Sequence, residues 1–390
     1  SEFTAVTPAA DLSPPCGMCS TPRSNDGIFW TTAMDNSSTL LSAEGVDRDD
    51  LKAALLSLPT MSIAMSPQQL FGSQGIHRGA NLDTDDLEFE CSLEMMYPPT
   101  PHWASAGGNI QSAAGIRIQG DGGRWFGGTY DHKQSFGLRF RSRYGASKLR
   151  HPVFGAAPLH ASSATDEFDK LTLRAGHNKG WGATWDSQNT VFTRDQFTRD
   201  MQIAMSSQGA HGTFVLLYLN GQFWGLYNLV ERPDSAFQAS YFGGSESDYY
   251  TGMYKHGTVK GDPAAFNDFS SNAGSWSETE LASKLDVPQF VDQAMLAAYA
   301  AIGDFPQYYY GARTLPGPAG PLRFFVWDAE DSWGGGSVRT GYRHWDTAGI
   351  TNDPQLSRLD RVNKFWTLWQ SSADFRQSWL DRAYAHLATP

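Results

Sequence analysis

The chain has 390 residues and 42.9 kDa, a length that suits two domains or one large α+β domain with attachments. Hydrophobic residues at 40% and charged residues at 18% provide for a sizeable core and exclude a disordered chain. Forty-one acidic against thirty basic residues leave a net charge of −11, which argues against a nucleic-acid partner but leaves room for a nucleotide held by local groups.

Residues 1–44 are rich in Pro, Ser, Ala and Asp, hold no sustained period, and read as a leader. Within them Cys16 and Cys19 form a CxxC with no second pair to complete a zinc site, so a disulfide or two thiols is the plain reading. No basic segment followed by an apolar one opens the chain. A removed signal peptide or an excised fragment is therefore expected, with Ser1-Glu2-Phe3 as a vector remnant. Over 46–58, Leu51, Ala54, Leu55 and Leu58 recur at helical spacing, with Asp47, Asp49 and Asp50 in the first turn and Pro59 as the stop.

Alternation predicts strands over 61–65 and 87–95. A third strand, GIRIQ at 115–119, runs into a glycine-rich loop at 120–128 that contains Gly122 and Gly123, and SFGLRFR at 135–141 follows. The segment 193–205 places Phe197, Met201 and Ala204 on one helical face. The most secure element is the hairpin FVLLYLNGQFWGLYNLVE at 214–231. Asn220-Gly221 supplies the two positive-φ residues of a type I′ turn, and the near-continuous apolarity predicts that both faces are covered.

Polar, Gly/Ser/Asn-rich 257–284 reads as a long loop, 288–302 as a buried helix and 322–327 as a buried strand. Two helices are expected over 354–388, the first with Leu359, Val362, Trp366 and Trp369 on its core face. The whole reads as α+β, a mainly antiparallel sheet followed by a helical C-terminal part. Its expected divisions are a leader and helix at 1–58, a mainly β region at 59–256 and a mainly helical region at 257–390 carrying the acidic site. The longest apolar runs, 214–219 and 294–302, fall short of the roughly 20 residues of a membrane span.

The acidic residues are the most telling for chemistry. Asp304 sits just past a buried helix in GDFPQYYY, and Asp328 ends the buried strand in FFVWDAED, with Glu330 and Asp331 close behind. Carboxylates at the ends of apolar elements are costly unless paired or bound to a cation. Convergence of Asp304 and Asp328 on one Mg²⁺ would serve phosphoryl transfer; a helix cap at Asp304 and an arginine pair at Asp328 is the bland alternative. Lysine is scarce, 9 against 21 arginines. Lys133 before the strand at 135, and Lys255 in MYK, therefore stand out, with Glu231 as a carboxylate to pair with a lysine beside a nucleotide phosphate. Solvated side chains are the alternative for each.

The series GIRIQG, KQSFGLRFR with YGASKLRHPVFG, FDKLTLRAG, FVLLYLNGQFWGLYNLVERPD, MYK, IGDF and LRFFVWDAE resembles the CotH (spore coat protein H) kinase family, in the family's order and over roughly 59–335. The resemblance implies an atypical, strongly diverged protein-kinase-like fold and phosphate transfer from ATP, with Mg²⁺ or Mn²⁺, to serines of surface, coat or secreted proteins. It gives Asp304 the place of the catalytic-loop aspartate and Asp328 that of the metal-binding aspartate, with Glu330 where many members carry a second one. It puts Lys133 and Glu231 on the nucleotide side. The asparagine usual after the first aspartate is absent, and Gln307 is the nearest substitute. Two other readings are open: a degenerate kinase-like binding or structural protein, and a carbohydrate-active enzyme or binder with paired carboxylates and an aromatic platform of Trp181, Trp185, Trp224 and Trp333. The expected acceptor is a protein or a glycan, and the expected location is secreted or at the cell surface.

Overall fold

The computed structural model describes residues 45, 47–71, 74–76, 87–120, 134–155, 163–176, 191–253, 257–300, 302, 308–315, 319–333 and 364–388. They fall into two units, one built from 1–157, 166–187 and 212–230, the other from 158–165, 188–211 and 231–390.

The first unit is a closed barrel. Its strands are β1 (Thr60–Ala64), β2 (Phe89–Met96), β3 (Ile110–Gln119), β4 (Ser135–Arg139), β7 (Lys170–Arg174), β8 (Gly212–Leu219) and β9 (Gln222–Val230), in the order β1-β2-β3-β4-β7-β9-β8. A two-stranded ribbon, β5 (Leu149–Arg150) with β6 (Glu167–Phe168), and helices α1 (Arg48–Leu55) and α2 (Pro67–Phe71) accompany it. Neighbouring strands run antiparallel except β1 and β8, which close the ring in parallel. The geometry demands this, because strand direction cannot alternate all the way round a ring of seven.

One apolar face can be followed through every register. Ile63 opposes Leu93, Cys91 opposes Ala114, Ile116 opposes Leu138, and Leu138 opposes Leu171. Leu173 opposes Leu229, Tyr227 opposes Val215, and Leu217 returns to Met61. All of these are buried, while Glu90, Ser92 and Glu94 alternate with them outward on β2. Burial, helped by the charges of Glu90 and Glu88, pushes the Cys91 thiol up to about 12, so it serves as a small apolar side chain.

The β8–β9 turn has the expected form. Asn220 has φ 50° and Gly221 φ 80°, and the Asn220 side chain also accepts a hydrogen bond from Met65 N–H at 2.8 Å. The expectation that both faces of this hairpin are covered holds for β8 and fails for the first half of β9, where 222–226 are half-exposed. At the end of β4, the buried Glu88 carboxylate gathers Arg143 at 2.7 Å, Arg141 at 3.2 Å and Arg139 at 3.9 Å. Planar guanidinium groups suit such shared pairing.

The second unit holds α3 (Arg194–Ser206), α4 (Ser235–Phe242), β10 (Tyr249–Met253), β11 (Gly257–Lys260), α5 (Ala264–Asn272), α6 (Glu278–Lys284) and α7 (Val287–Tyr299). It continues with β12 (Tyr308–Arg313), β13 (Arg323–Val326), α8 (Phe365–Ser371) and α9 (Ala373–Leu387). Its strands form an antiparallel sheet in the order β11-β10-β12-β13. The loop expected at 257–284 is therefore a strand and two helices. Ser277 and Glu280 cap α6 reciprocally, a signal that the polar composition hid. The core runs through Phe269, Phe290, Phe324, Phe365 and Phe375, with ring centroids 5.1 Å apart for Phe290–Phe324 and 5.3 Å for Phe365–Phe375. On α8 the buried residues are Phe365 and Leu368, with Trp366 and Trp369 half-buried; Leu359 and Val362 lie outside the described residues.

The helix expected at 193–205 forms, but its buried face is the polar one. Asp195, Gln196, Thr198, Arg199, Gln202 and Ile203 are buried, while Phe197 is 44% exposed and Ala204 faces solvent. Hydrogen bonding explains the inversion, since Asp195, Gln196, Thr198, Arg199 and Gln202 each find polar partners that apolar side chains do not supply. Across the unit, the buried Asp292 of α7 pairs with Arg382 of α9 and meets His386 Nε2 at 2.9 Å, tying the last helix down. Among the described residues, no helix is long and apolar enough to cross a membrane.

Candidate functional site

The turn after β13 is assembled by α3 and α7. Among the described strands β13 lies at the edge of its sheet, and side chains meet its outward polar groups. Gln202 Nε2 donates to Phe324 O at 2.9 Å, and Val326 N–H donates to Gln202 Oε1 at 2.9 Å. Phe324 N–H donates to Gln289 Oε1 at 3.0 Å, while Gln289 Nε2 donates back to Phe324 O. One step further on, Ala329 N–H donates to Asp195 Oδ1 at 3.0 Å. Asp195 is itself paired with Arg199, which has no solvent exposure and also donates to Gln196 Oε1 at 2.9 Å.

Between Val326 and Ala329 the backbone is thus clamped on both sides of Asp328, which takes a left-handed conformation, φ 56°, and lies half-buried. Aspartate is one of the few residues that adopt this region at modest cost. Trp333, at φ 54°, closes the turn; its N–H donates to Ala300 O at 2.6 Å and its indole to Thr198 Oγ1 at 2.9 Å. Glu330 lies half-buried in the same turn. Burial raises the Tyr309 phenol above its ordinary range; the Arg232 guanidinium, which donates to it at 2.7 Å, opposes the shift, and the charges of Asp234 and Asp328 add to it.

A second cluster centres on Glu231. Its Oε2 accepts from His211 N–H and from His211 Nδ1, each at 2.9 Å, and its Oε1 accepts from Tyr241 OH at 2.8 Å. His211 Nε2 meets Ser163 Oγ at 2.7 Å, and the His211 and Tyr241 rings stack at 5.7 Å. Burial, then the Glu231 charge, drives the Tyr241 phenol far above its ordinary range. Tyr241 therefore stays a neutral donor.

Of the residues singled out in the sequence, Asp328, Glu330, Asp331, Glu231, Trp224 and Trp333 are described, and Gln307 is not. Asp304, Lys133, Lys255, Gly122 and Gly123 lie outside the described residues, as do Trp181 and Trp185. Asp328 and Glu330 share one turn, whereas Glu231 is engaged with His211 and Tyr241. Asp195, Arg199, Gln202, His211, Tyr241 and Ser163 escaped the sequence reading. The Asp195–Arg199 pair at i,i+4 was the signal that could have found the first two.

Residues 116–390 match the family described as CotH kinase protein. The match covers 275 residues (390 − 116 + 1), more than half of the chain. The chain belongs to the CotH kinase family. No curated protein matches it. The CotH match takes in all of the second unit's described elements and, in the barrel, the strand register from Ile116 onward. Among the described residues no three His, Cys, Asp or Glu side chains converge as a metal site. Asp328 and Glu330 nevertheless offer carboxylate oxygens, the donor type that Mg²⁺ and Mn²⁺ prefer, and Mg²⁺ commonly takes only one or two protein carboxylates beside phosphate and water.

Proposed function

We propose that this CotH family member is a metal- and ATP-dependent kinase that phosphorylates serines of surface, coat or secreted proteins, on a strongly diverged kinase-like scaffold. The observation that carries the reading is the clamped, left-handed Asp328. A left-handed aspartate whose flanking backbone is held by buried side chains on either side is the kind of position a protein keeps for chemistry rather than for folding.

In this reading Asp328, Glu330 and Asp304 are the residues that would hold a Mg²⁺ or Mn²⁺ ion. The ion supplies charge neutralisation for the phosphates of ATP. Asp304 orients the acceptor hydroxyl and takes its proton. Lys133, Lys255 and the backbone near Gly122 and Gly123 serve the nucleotide side, where N–H groups suit phosphate oxygens. The Asp195–Arg199–Gln202 face of α3 keeps the Asp328 turn in one shape.

Calorimetric titration with Mg-ATP and Mn-ATP, beside a radiolabel transfer assay on a serine-rich protein, tests the proposal. Saturable metal-dependent binding and label on serine are expected. Failure of the wild type to bind nucleotide with either metal would remove the kinase reading.

A further inference from the structure

Ser163, His211 and Glu231 stand in the order and spacing of a serine nucleophile, its base and the carboxylate that orients the base. Ser163 Oγ is 2.7 Å from His211 Nε2, and His211 Nδ1 is 2.9 Å from Glu231 Oε2. With Nδ1–H donating to Glu231, Nε2 is left as the acceptor facing the Ser163 hydroxyl. The distribution of exposure also fits: His211 and Glu231 are each 3% exposed, whereas Ser163 is at the surface, where a second molecule can reach it.

The base and carboxylate are held from several directions. Glu231 N–H donates to His211 O at 3.0 Å while His211 N–H returns a bond to Glu231 Oε2, so the two backbones and side chains lock together. Tyr241 OH donates to Glu231 Oε1, lies 3.0 Å from His211 Nδ1, and accepts from Thr165 N–H at 3.0 Å. That last bond fixes the short segment carrying Ser163 against α4. Such preorganisation is what nucleophilic catalysis by a hydroxyl requires.

We propose that Ser163 is an activated nucleophile toward carboxylic esters, an acyl-transfer activity separate from phosphoryl transfer. Ser163 Oγ bonds to the ester carbonyl carbon as its proton passes to His211 Nε2. Collapse of the tetrahedral adduct breaks the carbon–alkoxy bond, and the alkoxy group leaves as an alcohol with the proton from Nε2. Water then repeats the sequence: its proton goes to Nε2, its oxygen to the carbonyl carbon, and Ser163 departs reprotonated as the carboxylic acid is released. No oxidation or reduction occurs. Ser163 and His211 touch the reacting atoms; Glu231 is the positioning residue.

The test needs neither nucleotide nor metal, so its outcome is distinguishable from that of the kinase assay. The full chain, in EDTA, is treated with a biotinylated fluorophosphonate, and the adduct is mapped by peptide mass spectrometry. A single adduct on Ser163 is expected, and p-nitrophenyl acetate should give a burst of p-nitrophenol that Ser163→Ala lacks. His211→Gln should slow labelling by about 10²-fold. Glu231→Gln should slow the bond-forming step at least about tenfold while leaving probe affinity unchanged, a split that a purely structural role does not produce. Ser163→Ala alters a surface hydroxyl, so its folding is not at stake, and the wild-type adduct map stands without any variant. No adduct at Ser163, or equal labelling rates for wild type and a folded His211→Gln, overturns the proposal.

Discussion

Asp328 shows how much a single residue depends on groups remote in sequence. Replacing it with Asn keeps the side-chain shape and a residue that tolerates φ 56°. Asp328→Asn is therefore expected to leave the melting temperature unchanged and to abolish metal-dependent nucleotide binding, because an amide lacks the charge that balances the cation. Under the kinase proposal Asp304→Asn is expected to retain most nucleotide affinity and stop transfer, since its effect would fall on the acceptor hydroxyl in the transition state. Titration beside the transfer assay separates the two; equal binding by both variants would mean the carboxylates are wrongly assigned. Asp195→Ala is a different kind of change. It leaves the Arg199 guanidinium buried without its carboxylate and Ala329 N–H without its acceptor, for a loss of about 3–5 kcal/mol in urea unfolding.

At the level of elements, α3 explains why part of the structure was readable and part was not. Its start and length follow from the sequence, but its buried face does not, because periodicity puts Phe197 and Ala204 on the apolar face with Met201, of which only Met201 packs on the core, and cannot see Gln202 reaching Phe324 O, 122 positions away. The β8–β9 hairpin was legible because Asn220-Gly221 encodes its own turn. Asp328 and Glu231 were legible as carboxylates ending apolar runs; their partners were not, since they arrive through tertiary contacts. Gln202→Leu should cost about 1–3 kcal/mol by leaving Val326 N–H unsatisfied. Phe197→Ser, at a 44% exposed position, should stay within about 0.5 kcal/mol. Chemical denaturation of the two variants side by side decides which face of α3 supports the fold; a larger loss for Phe197→Ser would restore the apolar face to that role.

For the molecule as a whole, pH and chain connectivity impose further constraints. Burial lowers the His151 imidazole below its ordinary 6.5, against hydrogen bonds to the backbone at Gly108 and Ala106. The unfolded chain thus binds the proton more readily, and stability falls as pH drops through about 6.5, levelling below the folded-state value. His151→Gln should flatten that part of the melting-temperature profile between pH 8 and 5; an unchanged slope would assign it to other groups.

The parallel seam between β1 and β8 has a kinetic meaning. It joins Thr60 to Leu216, positions 156 apart (216 − 60), whereas β8 meets β9 through a two-residue turn. Closing so long a span costs about 4–5 kcal/mol of chain entropy before its hydrogen bonds return anything. The ring should therefore zip from its hairpins and seal last. In pulse-labelled hydrogen exchange during refolding, the amides of Leu216 and Asn220, which bond to Pro59 O and Ile63 O, should gain protection after the hairpin amides of Tyr227 and Leu229. A translating ribosome meets the same order: the strand at 60–64 waits unpaired on one side until residues 216–219 have emerged.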